Sequence, residues 1–98
     1  MRMLLTVQMD TDKSNKAITD NELAGIMQSA MERLQPEAAY FGAKEGQRTG
    51  FIVFDLKEPS DIPSVAEPFF MKLGAKVTLI PVMNLDDVRS GLAKAGHG

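Results

Sequence analysis

Two stretches carry apolar residues at helical spacing, 23–34 and 62–73, and a single hairpin signal lies between them. Outside them, residues 2–9 and 75–83 alternate with period two. No other feature of the chain restricts its fold as much as this order. Strands joined by a tight turn must pair antiparallel, whereas a helix between strands carries the chain across one face of a sheet. The result is a βαββαβ pattern, for which few topologies exist.

Along the chain, RMLLTVQM (2–9) places Met3, Leu5, Val7 and Met9 on one face of a strand and Arg2, Leu4, Thr6 and Gln8 on the other. The polar DTDKSNKAI that follows reads as a loop. Thr19–Glu22, TDNE, has the form of a capping box, with Ile18 and Leu23 at staple positions. Leu23, Ile26, Met27, Ala30 and Leu34 then form a helical stripe ended by Pro36, and Gly25 weakens that helix. EAAYFGAK (37–44), the turn EGQRTG and GFIVFDL (50–56) make the hairpin. Ser60 or Asp61 caps the second helix, whose buried side is Ile62, Val65, Ala66, Phe69, Phe70 and Leu73. Pro68 inside it predicts a kink or two short helices, and Gly74 a stop. AKVTLIPVM (75–83) is the last of the strands, with Pro81 marking an edge. Asn84 caps a further helix carrying Leu85, Val88, Leu92 and Ala95, and the closing GHG reads as a frayed tail. The expected fold is α+β: one ferredoxin-like domain over 1–98, with a four-stranded antiparallel sheet, two helices on one face and an extra C-terminal helix.

Composition narrows the function. Hydrophobic residues are 44% and charged residues 24% of the 98, as in globular chains. Eleven basic residues are scattered and the net charge is −2, which gives no nucleic-acid footprint. No apolar run is long enough to span a bilayer, and MRMLLTVQMDTD reads as a first strand rather than a leader. Without cysteine there is no disulfide or thiolate chemistry. The expected setting is the cytoplasm, with no metal and no cofactor. DTDKSN lacks the glycine and the bidentate glutamate of a calcium loop. Gly42, Gly46 and Gly50 bracket a hairpin and do not make a phosphate loop. Glu45, Gln47 and Arg48 read as solvated groups at the hairpin tip.

Two helices cover one face of the sheet. The more apolar parity (Met3, Leu5, Val7, Ile52, Phe54, Leu56, Val77, Leu79) takes that side. The opposite parity mixes Leu4, Thr6, Gln8, Tyr40, Phe51, Val53, Asp55, Thr78 and Ile80, with Arg2 and Lys76 near an end. Such a face suits a partner surface or a pocket wall. Asp55 is the sharpest candidate for chemistry: in a cavity beside Phe51 and Val53, desolvation would raise its pKa and fit it for acid–base work. The preferred reading is that it ends the strand and caps the turn before KEPS, and a third is an ion pair with Arg2 or Lys76. Tyr40 could donate to a ligand or simply pack. Arg2 could hold a carboxylate through its fork, although a surface arginine is the commoner outcome. Thr6, Gln8, Phe51, Val53, Thr78 and Glu67 complete the candidate ligand-binding set.

EPFFMKLGAKVTLIPVMNLDDV (67–88) resembles the dimeric α/β-barrel superfamily: a Pro-Phe-rich second helix, a glycine stop, a strand ending Pro-Val-Met and a short terminal helix, in that order. The resemblance implies a homodimer that pairs two sheets face to face, with a cavity between sheet and helices or between the two sheets. It also implies a place among cofactor-free monooxygenases, muconolactone-type isomerases, haem enzymes and small uncharacterised members. The single histidine, His97, has no match to a proximal haem ligand, and no catalytic residue carries over. The functional expectation is a dimer that binds or transforms a small organic molecule. The alternatives are a non-catalytic dimeric binding or structural module, and an accessory domain that needs another chain.

Overall fold

The computed structural model describes residues 1–98. In order these form β1 (Arg2–Gln8), α1 (Thr11–Thr19), α2 (Leu23–Leu34), β2 (Ala38–Lys44), β3 (Gln47–Asp55), α3 (Ile62–Leu73), β4 (Lys76–Pro81) and α4 (Leu85–Lys94), with a 3-10 turn at Pro59–Asp61 before α3. The strands run β2-β3-β1-β4 across one sheet, antiparallel throughout. This is the expected ferredoxin-like α+β architecture.

Period-two alternation decides the two faces. Leu5, Val7 and Ile52 are fully buried, and Met3 and Phe54 nearly so. They meet Ala17 of α1, Ala30 and Leu34 of α2, and Val65, Phe69 and Leu73 of α3 in one core. Strands and helices are held together because each element turns its more apolar side into this core. The hairpin turn is tighter than the expected EGQRTG. Glu45 and Gly46 alone form it, with φ of 54° and 75°. Left-handed conformation at both central residues matches the twist of the flanking strands, and glycine supplies the second at no steric cost.

The first loop is a helix. Asp10, extended at φ −61°, accepts from the Lys13 amide and starts α1, which ends at Thr19. Thr19 therefore closes α1 and does not cap α2, where Glu22 takes the cap position with no side-chain bond. The α1 face toward the core is Ser14 and Ala17. α3 runs unbroken through Pro68. Phe70 and Ile62, expected inside, are 43% and 37% exposed. Gly25 meets nothing within 4 Å, so no close packing requires it. Gly74, at φ 53°, ends α3 through its amide on the Phe70 carbonyl.

The C-terminal segment is ordered by its own bonds. Asn84 and Asp87 make a reciprocal capping box. At the other end the His97 amide donates to Leu92 and the Gly96 amide to Ala93, with Gly96 at φ 84°. That is a Schellman closure, so the GHG tail is capped rather than frayed. α4 nevertheless packs little against the rest of its chain: only Val88 is half-buried, while Leu85 and Leu92 are exposed. The molecule is accordingly long, 54 × 28 × 18 Å, with a radius of gyration of 15.6 Å. A compact chain of this length would have about 13 Å.

Candidate functional site

The open sheet face assembles half of the expected site. Register places Tyr40, Phe51, Thr6 and Thr78 in one row across all four strands. Ala38, Val53, Leu4 and Ile80 make the next row. Tyr40 is 72% exposed, and Phe51, Val53 and Thr6 are half-buried. These side chains share a surface, but it is a flat and mostly apolar one.

The other expected residues are elsewhere or already engaged. Gln8 is buried, and its Nε2 donates to Gln47 Oε1 at 2.6 Å, so its amide serves the strand pair. Arg2 donates from Nε to Glu37 and approaches Asp87 at 3.8 Å. The Glu37 hydrogen bond, then its charge, raise the Arg2 pKa further. Arg2 thus ties the start of β2 to the first turn of α4 instead of offering its fork to a ligand. Glu67 sits on α3 in the helix layer, beside a shallow hollow shared with Arg33 and Lys72.

Asp55 ends β3, as its strand-end reading expected. The terminal ammonium of Met1 donates to it at 2.6 Å, and Lys57 lies 3.5 Å away. The ammonium's hydrogen bond, and then its charge, hold the carboxyl below the ordinary carboxylate value against desolvation. The direction is opposite to the rise that acid–base work in a dry cavity would need. The partners are also not Arg2 or Lys76.

A concave site lies on the other side of the sheet. A cleft of about 760 Å³ opens between the α1–α2 turn and the β2–β3 hairpin. Met9 at the end of β1, Ile18, Leu23, Ala24 and Met27 line one part. Phe41, Gly42, Arg48 and Thr49 line the other, with Asn21 at the turn. The local sequence builds each wall. Asn21, left-handed at φ 58°, reverses the chain between the helices, and the Glu22 amide closes that turn on the Ala17 carbonyl. Ile18 and Leu23, the expected staple pair, line the cleft from either side of the turn. Phe41 lies over Gly50, where an added Cβ would come within 3.1 Å of its ring. Gly50 thus lets the ring settle onto the strand.

Arg48 is the only charged residue of the cleft lining. It is exposed at the hairpin tip, as expected, but tethered: its Nη1 donates to Ser14 Oγ and Asn15 Oδ1, both at 2.8 Å. Ser14 is fully buried, and its hydroxyl donates onward to the Thr11 carbonyl at 3.2 Å. Arg48 therefore clips the hairpin to α1. The lining has no histidine, carboxylate or tyrosine. It can hold an apolar body, offer hydrogen bonds and favour negative charge, but it supplies no general base of its own. Arg48 was within reach of sequence reasoning. Its parity in β3 puts it on the helix side with Gly50, Ile52 and Phe54.

No helix is long and apolar enough to cross a membrane. No curated protein matches the chain in sequence. Among solved structures, the chain is similar to 5-chloro-2-hydroxyhydroquinone dehydrochlorinase (TftG) from Burkholderia phenoliruptrix AC1100, in complex with 2,5-dihydroxybenzoquinone. The TM-score is 0.62 at 16% identity, over 88% of this chain and 97% of that one. At that identity the likeness concerns the fold. Residues 1–96 match the model of DUF3303, domain of unknown function, and with that extent matched the chain belongs to the DUF3303 family.

Proposed function

We propose that this protein is a homodimer that binds a small organic molecule in the cleft between the α1–α2 turn and the β2–β3 hairpin. The observation that carries the binding reading is the cleft itself: an apolar hollow of about 760 Å³ with one charged side chain and a few polar groups at its edge. Small-molecule sites have this size and make-up. The structural neighbour, whose bound molecule is a dihydroxybenzoquinone, supports a ligand of ring size. The lining supports binding ahead of catalysis, since acid–base chemistry there would have to come from the ligand.

The dimer reading rests on the open face and α4 together. Four strands of about seven residues give a plan area of about 450 Å². A standard interface buries about 800 Å² per partner. The remainder is available on the exposed Met83, Leu85 and Leu92 of the C-terminal segment. A second copy of the same surface would cover both.

The test of the site is calorimetric titration with 2,5-dihydroxybenzoquinone, on the wild-type chain and on Ala24→Trp. Ala24 is exposed at the cleft wall, so the indole fills the hollow without entering the core. Binding that Ala24→Trp abolishes supports the reading. Binding that survives in full overturns it.

A further inference from the structure

We infer that the cleft selects an aromatic carboxylate, with Arg48 as its anion anchor. This rests on the cleft being the ligand site. A guanidinium has five N–H donors. Two of Arg48's, both on Nη1, are spent on Ser14 and Asn15. No protein acceptor takes the Nε–H or the two Nη2 hydrogens, and no carboxylate lies within ion-pair distance. The free edge, Nε with Nη2, is the side of the fork that meets a carboxylate through two parallel bonds.

The engaged edge matters as much as the free one. Bonds to a fully buried serine and to Asn15 hold the long side chain in place before any ligand arrives. Less side-chain freedom is then lost on binding. Around this fixed cation the lining is uncharged, and Met9, Leu23, Met27 and Phe41 give it an apolar body. Apolar walls strengthen the field of a lone charge and discriminate against cations. An aromatic ring against Phe41 and Met27, with its carboxylate on Arg48, satisfies both halves of the site.

The probes are 2-naphthoate and its neutral isostere 2-naphthamide. The readout is the methyl spectrum of methionine-labelled protein. Met9 and Met27 report on the cleft, and Met71 and Met83, both well exposed elsewhere, serve as controls. The acid should bind about threefold to fivefold tighter than the amide, the value of an ion pair at an exposed guanidinium. It should shift Met9 and Met27 selectively. Arg48→Gln should bring the acid-to-amide ratio close to one while the amide still binds, and Arg48→Lys should restore part of the preference. Equal binding of acid and amide to the wild-type chain, or a ratio that Arg48→Gln leaves unchanged, overturns the anchor and leaves the cleft standing. If neither probe shifts Met9 and Met27, the cleft reading fails and the anchor with it. The wild-type comparison does not depend on how well any variant folds.

Discussion

A single charge at the centre of the open sheet face should separate the dimer without unfolding the chain. Val53 is the position to change. It lies between Leu4 and Ala38 in the sheet register, with Ile80 beyond Leu4, and is half-buried in the isolated chain. Aspartate there remains in contact with water in a single chain, so folding loses at most about 1 kcal/mol of strand preference. In an interface built on two-fold symmetry the same substitution enters twice. Each unpaired charge taken out of water costs about 3–5 kcal/mol. The sum weakens dimerisation by at least about 6 kcal/mol, or roughly ten-thousandfold in the dissociation constant. The assay is light scattering on a sizing column over a wide range of protein concentration, with circular dichroism to check folding. The wild-type chain should elute at twice the 10.7 kDa of one chain, and Val53→Asp at 10.7 kDa with an unchanged spectrum. The wild-type melting temperature should also rise with concentration, and that of the variant should not. A wild-type mass of one chain at every concentration refutes the reasoning. A Val53→Asp chain that stays paired moves the interface to another surface.

Two further outcomes follow from packing and capping. Phe69 is fully buried where α3 meets the sheet, so Phe69→Ala should cost about 3–5 kcal/mol and lower the melting temperature by about 15–25 °C, read by calorimetry. Asn84→Ala removes half of the capping box of a helix that packs little within its own chain. The loss of about 1 kcal/mol should appear as faster amide exchange within α4, with little change in the melting temperature, and unaltered exchange would show that the cap is idle.

Large side chains at regular spacing made most of the architecture readable. β1, β3, α2 and α3 each turn a stripe of apolar residues toward the core, and such stripes announce both element type and facing. α1 was silent because its buried face is Ser14 and Ala17, too small to set up an apolar period. Its one clear sign was Asp10 placed three residues before Lys13, the spacing of a side-chain cap. The cost of missing it fell on the site. With 10–18 read as a loop, nothing could show that the exposed Arg48 is tethered to Ser14 and Asn15. Asp55 illustrates a different limit. Its place at the strand end follows from the sequence, but its partners are the chain's own ammonium group and a neighbouring lysine, and which cation reaches a carboxylate depends on how the strand ends meet. The partners of Arg2 escape the sequence for the same reason, since Glu37 and Asp87 come from distant elements.

The glycine under Phe41 makes the bore of the cleft an independent variable. Gly50 does not line the hollow, yet the absence of its Cβ decides how low the aromatic wall can lie. A single carbon added there would press the ring away from the strand by tenths of an ångström. The groups that meet a guest and the atom that gauges its thickness therefore sit at different positions in the chain. Members of this fold could change the size of what they accept from below the wall, leaving the charge that recognises it in place.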